Sequence, residues 1–299
     1  MNKLLNEINK MHSVPQGAYS IRENGISKIN STDDIIIIPH KNKKGIKIYV
    51  KSGTKNKSLH LPVIVSQGGF TELVYNDFYI EDNCDVTIVG SCGIHNNTNN
   101  PSSHNGKHTF HIGKNCNVKY LEKHLAVGNN STNTLNPVTK IHIKDNSTMT
   151  IETVQLGGVS YSKRSTVAKL ENNAILNITE KILTDNTDFA QTNFKVNLNG
   201  ENSSVKVVSR SVAKGNSNQS FNSKIMGNNK CFGHIECDGI VTNNASLSST
   251  PTVACNHPEA SLSHEATIGR IAGEQLIKLM TLGLTQKQAE DMIINGFLR

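Results

Sequence analysis

Apolar and polar side chains alternate with a period of two along most of this chain, as in Ile141-His142-Ile143 and Val205-Lys206-Val207. Alternation of this kind is typical of β-strands that bury one face and expose the other. Turns rich in Asn, Asp and Gly separate the strand-like runs, and Asn and Gly adopt left-handed backbone angles with little strain. The pattern therefore predicts many short strands joined by tight turns.

The turns recur at regular intervals of about 26 to 32 residues, and each is followed by a strand-like run. The turn asparagines are Asn83, Asn115, Asn146, Asn173, Asn202 and Asn229. Regular repetition over roughly 200 residues is typical of a solenoid in which each coil covers the next. A β-sandwich has similar local signals but needs no regular repeat. We therefore predict an all-β-dominated fold, a parallel β-helix.

The pattern changes to helical spacing near the end of the chain. Gly283 is a typical helix stop, and Thr285 with Gln288 predicts a capping box that starts a second helix. The simplest role for this hairpin is to cap the open end of the solenoid. We predict three segments: an N-terminal helical or extended segment (1–30), a β-helix core (31–267) and a C-terminal helical region (268–299).

Composition narrows the class of partner. The chain has 299 residues, and its net charge of +7 would suit a polyanionic partner. However, the lysines are spread along the chain, and the tight cluster Lys41-Asn42-Lys43-Lys44 is predicted to be a turn between strands. No nucleic-acid-binding motif or aromatic platform accompanies the charge. We therefore expect no nucleic-acid partner.

The sequence also bears on location. Its most apolar run, Ile35 to Ile38, is too short to cross a bilayer, and Met1 to Leu5 is predicted as a short amphipathic helix and not as a signal peptide. Six cysteines in a chain of this length do not indicate a disulfide framework. We expect a cytoplasmic protein with reduced thiols and no membrane contact.

Several common catalytic motifs are missing from the sequence. There is no G-x-x-x-x-G-K-[ST] phosphate loop, no serine nucleophile elbow, no H-E-x-x-H zinc helix and no C-x-x-C pair. We therefore do not predict an enzyme, and we do not expect this chain to hydrolyse ATP itself.

One group of residues with metal or sulfur chemistry lies near the C-terminus. It combines Cys237 with His264 and Glu265. The step of 27 residues from Cys237 to His264 matches one repeat, so stacking would place them on neighbouring coils. A thiolate, an imidazole and a carboxylate there could hold iron or take up persulfide sulfur. The alternative is a buried structural cysteine and a histidine with a capping role.

A second group is rich in histidine. Cys92, His95, His104 and His108 lie within a short stretch, and His124 follows on the next repeat. Such a group could bind a transition metal. Its spacing fits no standard metal motif, and solvated histidines without a metal are the alternative.

The C-terminal segment resembles the end of SufB/SufD family proteins. The similarity rests on residues 262–271, Glu274-Gln275-Leu276, Gly283-Leu284 and Ile294-Asn295-Gly296-Phe297, which follow the family pattern S/E-H-E/G-A-T-x-x-[KR]-I…E-Q-L…G-[IL]…[IV]-x-G-F. Glu236-Cys237-Asp238-Gly239 extends it at the matching distance. Residues 93–124 resemble the short, mainly archaeal and anaerobe-type members.

This resemblance implies a right-handed parallel β-helix whose terminal helices, residues 272–299, dock a SufC-like ABC ATPase. It also implies cluster assembly at the interface between two β-helix subunits. By position, Cys237 matches the cysteine essential for nascent cluster formation, His264 the interface histidine, and Glu265 the acidic residue typical of SufB. Ser263 departs from the pattern, because bacterial SufB often has Glu there, and the chain is much shorter than bacterial SufB.

The resemblance therefore predicts a scaffold on which an iron–sulfur cluster, expected to be [4Fe-4S], is built while the partner hydrolyses ATP. A homodimer and cluster-accepting apoproteins are the other expected partners. The main alternative is a structural SufD-like subunit without its own cluster. A β-helix carbohydrate enzyme is a further alternative, but it would need paired carboxylates and aromatic sugar platforms, and only 5% of the residues are aromatic.

Overall fold

The computed structural model describes residues 17–128 and 132–298. Its strands are, in chain order, β1 (Ala18–Glu23), β2 (Ile26–Asn30), β3 (Ile35–Pro39), β4 (Gly45–Val50), β5 (Lys57–Val65), β6 (Thr71–Ile80), β7 (Asp85–His95), β8 (Ser102–Ile112), β9 (Asn117–Val127), β10 (Asn133–Leu135), β11 (Val138–Ile143), β12 (Thr148–Leu156), β13 (Tyr161–Leu170), β14 (Ile175–Thr184), β15 (Phe189–Leu198), β16 (Ser203–Ala213), β17 (Asn218–Gly227), β18 (Cys231–Val241), β19 (Ser246–Cys255) and β20 (Ala260–Gly269). Two helices follow, α1 (Gly273–Thr281) and α2 (Gln286–Phe297). The amphipathic helix predicted at Met1 to Leu5 lies outside the described residues.

The strands form two ten-stranded sheets. Sheet A has the order β2-β1-β5-β7-β9-β12-β14-β16-β18-β20, and sheet B has the order β19-β17-β15-β13-β10-β8-β6-β4-β3, with β11 beside β8 and β13. Except for the antiparallel pairs β1–β2 and β3–β4, neighbouring strands are parallel. The chain therefore winds as a parallel β-solenoid of about 8 turns, which confirms the predicted β-helix.

The inward side chains of both sheets form a large apolar cluster and a second, smaller one. Strict alternation of buried and exposed positions is seen, for example, in β14, where Leu176 and Ile178 are buried and Asn177 is not. Because strands on neighbouring coils pair in register, each inward side chain stacks on an inward side chain of the next coil. This register determines which distant residues share a face.

Asparagines at the turns also stack from coil to coil. Five of the six predicted turn asparagines have a positive φ, namely Asn83, Asn115, Asn146, Asn173 and Asn202. Their side-chain amides bond along the solenoid, as in the 2.9 Å bond from Asn173 Nδ2 to Asn146 Oδ1. Asn is suited to this position because it tolerates the left-handed backbone and its side chain can both donate and accept a hydrogen bond.

The boundaries of the β-body differ from the predicted ones at both ends. Residues 18–30 were predicted to precede the core, but β1 and β2 are part of sheet A. At the other end β20 continues to Gly269, so Ile268 lies in a strand and α1 begins only at Gly273. Stacking on a preceding strand extends each edge further than local patterns indicate.

The helical hairpin is formed as predicted. Gly283, at φ +92°, follows the end of α1, where a left-handed residue is needed. Thr285 and Gln288 form the capping box of α2, each side chain bonding the backbone of the other. In the described part of the chain, no helix is long and apolar enough to span a bilayer.

The hairpin does not cap the solenoid, contrary to the simplest expectation. It lies against the outer face of sheet A, where Arg210 donates to the Phe297 carbonyl at 3.3 Å and Lys214 lies 4.0 Å from Asp291. Inward-facing residues of the last coil are therefore exposed, with Val253 at 41% and Ile268 at 40%. We call this surface, the inward face of β19 and β20, the open end.

Candidate functional site

Cys237 lies one coil away from the open end. On β18 it points into the solenoid and is 5% exposed. Its register neighbours are Ser209 on β16 and Ala266 on β20. Since β20 belongs to the last coil, one layer of chain separates the thiol from the exposed surface. The thiol is thus enclosed but close to solvent.

The surroundings of Cys237 favour the protonated thiol. Burial raises the pKa of Cys237 to about 11, which the Ser249 hydroxyl opposes and the nearby carboxylate of Glu180 reinforces. At neutral pH the sulfur therefore keeps its proton, and binding of iron or transfer of sulfur must release it. All six cysteines lie in the described ranges and are free thiols.

His264 shares a face with Cys237. It pairs in register with Ile235, an inward residue two positions before Cys237, so its side chain belongs to the inward face of β20. Among the described strands β20 pairs only with β18, and His264 is exposed at the open end. The structure thus brings this imidazole and the thiol to the same side of two neighbouring strands.

Glu265 belongs to the opposite face of β20. It pairs in register with Glu236, and both lie on the outer surface of sheet A beside Asp238. Burial raises the pKa of Asp238, and the neighbouring Glu236 adds to the effect. Within one subunit, therefore, Glu265 does not converge with Cys237 and His264.

A buried polar cluster runs from the middle of the solenoid to Cys237. Glu180 accepts hydrogen bonds from Thr192 at 3.0 Å and from Ser209 at 3.4 Å, and the Arg164 guanidinium lies 3.4 Å from it. Burial raises the pKa of Glu180 in spite of Arg164. Because Ser209 is the register neighbour of Cys237, these groups continue directly into the coil that holds the thiol.

Three of the four residues in the predicted histidine-rich metal group line one internal cavity of about 30 Å³. Cys92, His104 and His108 face it, together with His124. Space for the His108 ring depends on Gly106, since a Cβ there would lie 2.5 Å from the ring nitrogen. A cavity of this size holds one or two water molecules.

His95, the fourth residue of that group, lies elsewhere. It is on the outer side of β7, where its Nε2 is 2.9 Å from the Asn97 amide. Among the described residues, no three His, Cys, Asp or Glu side chains meet at distances that suit a metal ion. Metal binding by Cys92, His104 and His108 stays a prediction.

The cavity histidines are engaged with buried charges. Arg164 donates to Glu122 and, at 3.1 Å, to Nδ1 of His124, whose Nε2 lies 3.4 Å from Glu122. Burial would raise the pKa of Glu122, but His124 and Arg164 hold it well below its usual range. A guanidinium next to these imidazoles repels a metal cation.

On the N-terminal side of the cavity, Glu72 forms a similar cluster. His104 Nδ1 lies 3.1 Å from it, and Arg22 donates to both of its oxygens at 2.8 to 3.1 Å. Burial alone would raise the pKa of Glu72, but His104 and Arg22 lower it to about 2.

Sequence reasoning missed the acidic and arginine members of this interior. Glu180 occupies the same inward phase as Ile178 and Ile182 in β14, and Arg164 falls in phase with Ala168 in β13. The alternation used to predict strands therefore already marked these charged residues as buried. Buried charges without partners are costly, which is why each has a partner here.

Comparison with known proteins agrees with the resemblance seen in the sequence. The family model described as SUF system FeS cluster assembly, SufBD core domain, matches residues 71–297, a range that includes Cys237, His264 and Glu265. An iron–sulfur cluster assembly SufBD family protein of Methanocaldococcus jannaschii is 29% identical over 279 residues, which cover 89% of this chain and 85% of that protein.

Two further similar proteins carry the same family description. The one from Archaeoglobus fulgidus is 26% identical over 226 residues, which cover 75% of this chain but only 60% of that relative. The one from Pyrococcus horikoshii is 46% identical over 66 residues, which cover 22% of this chain and 20% of that relative. The chain thus spans less than two thirds of the length of these two relatives.

Proposed function

The chain belongs to the SufBD family of iron–sulfur cluster assembly proteins, and we propose that it is a scaffold subunit on which a cluster is built and then passed to apoproteins. The expected cluster is [4Fe-4S], and the expected ligands are Cys237, His264 and Glu265. One observation carries this proposal: Cys237 is held beside the open end, with His264 exposed on the same side. Family membership also argues against the alternative of a carbohydrate enzyme.

The chemistry of these groups suits temporary cluster binding. Iron in clusters prefers thiolate ligands, whereas imidazole and carboxylate are harder donors that complete a more labile site. One cysteine with such donors holds a cluster less tightly than four cysteines would. A site of this kind would retain a cluster during assembly and release it to an acceptor.

A second copy of the chain is the expected partner at the open end. Glu265 lies on the outer face of β20, so one subunit does not gather all three expected ligands around one point. The end also exposes Val253 and Ile268, which a partner would bury. A homodimer joined there would bring two sets of these ligands together and would cover the unpaired edges of β19 and β20.

The helical hairpin is the proposed docking surface for a SufC-like ABC ATPase. Its apolar residues exceed what packing within the subunit uses, because Ile277, Met280, Leu282 and Met292 are exposed by 43% to 79%. In contrast, only Ala289 and Ile294 of the two helices are buried. An amphipathic hairpin with an uncovered apolar side is a common way to bind a partner groove.

The structural SufD-like role is the second candidate, and one observation favours it. The burial of Cys237, with its pKa raised to about 11, is also what a purely structural cysteine would show. The two roles differ in whether the isolated complex carries iron.

The test is co-expression with an ABC ATPase of the same system, followed by anaerobic purification. A scaffold should co-purify with the ATPase, contain iron and acid-labile sulfide, and show sulfur-to-iron charge-transfer absorption. Stable co-purification without iron or sulfide, even after anaerobic reconstitution, would favour the structural role. Failure to bind any ATPase of the system would contradict both.

A further inference from the structure

Lysines that are spread along the sequence form a stripe on the outer face of sheet B. Each of five successive strands, β8, β11, β13, β15 and β17, carries at least one exposed lysine. These residues, which we call the lysine stripe, are Lys107, Lys140, Lys169, Lys195 and Lys224. With coils about 4.8 Å apart, the stripe runs about 19 Å along the solenoid.

The register shows how closely these lysines follow one another. Lys195 and Lys224 are direct register partners. In the same row, Val167 on β13 pairs with Lys140 on one side and with Lys195 on the other. Lys169 lies on the same strand as Val167, two residues further along. Like charges directly opposite each other in a sheet are destabilising. The fold therefore keeps an arrangement that costs stability in the isolated subunit.

Almost no negative charge offsets the stripe. On the described strands of sheet B the one outward carboxylate is Asp77, which already has Lys43 at 3.3 Å and His40 at 3.2 Å. Sheet A differs, since its outer face pairs charges across strands, as in the 2.9 Å contact between Lys119 and Glu152. Sheet A also places Lys181 opposite Arg210, but Arg210 faces Asp238 on its other side, so carboxylates offset the cations on that face and not along the stripe.

We propose that the lysine stripe is a docking surface for an acidic protein, one that presents carboxylates about 5 Å apart along a line. Residues on one face of a helix repeat at 5 to 6 Å, which is close to the spacing of the coils. Charge complementarity of this kind accelerates association and selects partners. This inference does not depend on cluster assembly at Cys237.

The same surface is poorly suited to nucleic acid. Single strands bind where aromatic rings are free to stack on bases. Here Tyr161 stacks on Phe189 at 5.1 Å, and Tyr79 stacks between Tyr49 and His111 at 5.0 Å. At least one face of each of these rings is therefore already covered by a neighbouring ring. The stripe also contains no arginine, which is the main residue for reading bases.

The test uses a labelled helical peptide of about 20 residues with glutamates along one face, long enough to cover the stripe. Its binding is measured by fluorescence anisotropy at several salt concentrations. The stripe variant combines Lys140→Glu, Lys195→Glu and Lys224→Glu. The matched control combines Lys28→Glu, Lys55→Glu and Lys206→Glu, exposed lysines away from the stripe that give the same change in net charge. Circular dichroism checks that both variants fold.

We expect the stripe variant to bind the peptide about tenfold more weakly, and the control variant to lose no more than about twofold. A glutamine version of the peptide should not bind. Equal losses in the two variants would overturn the proposal, because net charge alone would then explain binding. It would also be overturned if duplex DNA or phosphatidylserine vesicles bound more tightly than the peptide and lost that binding in the stripe variant.

Discussion

Cys237 combines two properties that a cluster ligand must reconcile. Its sulfur is shielded by the last coil, which protects it from oxidation, yet burial raises its pKa to about 11. If Cys237 binds iron as proposed, its thiolate forms when iron replaces the proton. Loading of the site should release protons and should slow as the pH falls.

The first prediction concerns the thiols. Cys237→Ala should reduce iron bound after anaerobic reconstitution about tenfold, since no other soft ligand lies in the family motif. Cys84→Ala and Cys116→Ala should leave iron content unchanged. Those two cysteines follow turn asparagines and are buried, and their thiols donate to backbone carbonyls. Iron is measured by colorimetric assay and the cluster by absorption.

Matched stability measurements make this prediction decisive. Each Cys→Ala variant should cost about 1 kcal/mol of unfolding free energy, so that folding does not explain a difference in iron. Full iron content and an unchanged absorption band in Cys237→Ala would show that the cluster is held elsewhere.

The second prediction concerns pH. Burial lowers the pKa of His108 to about 4, although Glu122 attracts the charged form. The unfolded chain, with an ordinary histidine pKa near 6.5, therefore binds a proton more readily than the folded one. Stability due to neutral His108 is complete above about pH 6.5 and is lost as the pH falls towards 4, by roughly 3 kcal/mol.

Urea unfolding between pH 7.5 and 4 measures this loss. His108→Gln should be less stable at neutral pH but should lose less on acidification than the unchanged protein. Iron and zinc per chain are determined on the same samples, because a metal on His108 would also oppose its protonation. Identical pH profiles for the two proteins would contradict the assignment to His108.

The position of a single residue could be predicted from the sequence only where the pattern that determines it lies in the nearby sequence. The placement of Cys237 and His264 on neighbouring coils followed from their separation of 27 residues, although the register pairs Cys237 with Ala266 and His264 with Ile235. The opposite orientation of Glu265 followed from the alternation of strand side chains but needed the register to be recognised. The pairing of Arg164 with Glu122 joins residues 42 positions apart, and no local pattern indicates it.

Among the elements, the helical hairpin packs least against the rest of the subunit. Contacts such as that from Arg210 to the Phe297 carbonyl attach α2 to sheet A, while α1 has no buried residue. An element that packs so little against its own body is stabilised mainly by what binds it. This applies more to α1 than to α2.

The third prediction tests the hairpin. Deleting residues 273–299 should abolish pull-down of the ATPase while leaving the solenoid folded, because each coil depends on its neighbours and not on the hairpin. A matched point variant is Ile277→Glu, which changes a side chain that is 61% exposed. Circular dichroism and thermal unfolding verify the β-body. Unchanged ATPase binding by the truncated chain would place the docking surface on the solenoid.

Local chemistry predicted this hairpin well, since Thr285, Gln288 and Gly283 specify their own backbone. It predicted the adjoining strand less well. Ile268 has helical spacing to later apolar residues, but its backbone pairs with Gly239 on β18. Hydrogen bonding to a strand of the preceding coil overrides the local preference for a helix. The sequence of one repeat alone does not show this pairing.

For the whole molecule, the two ends of the solenoid differ. At the N-terminal end the antiparallel strands β2 and β3 close the two sheets. At the C-terminal end no strand in the described ranges pairs with the far side of β19 or β20, and both strands expose inward apolar residues. Edges of this kind favour association with another chain. The asymmetry makes the open end the expected subunit interface.

The fourth prediction is that the protein is a dimer through this end. Introducing charge with Val253→Glu and Ile268→Glu should weaken dimerisation at least about tenfold, since both side chains would be buried between subunits. Ile26→Glu is the matched control, because Ile26 is 80% exposed on β2 at the other end. Sedimentation equilibrium measures the dissociation constants. A dimer unaffected by the first change but lost in the second would move the interface to the opposite end.

The stacking of coils also bears on how chains of this family can differ in length. Cys237 and His264 lie on successive strands of sheet A, so one turn of the solenoid alone sets their relation. A whole coil gained or lost upstream would shift every earlier residue yet leave this pair untouched. Size can therefore change in steps of one turn without selection having to rebuild the site, and relatives of unequal length can share it.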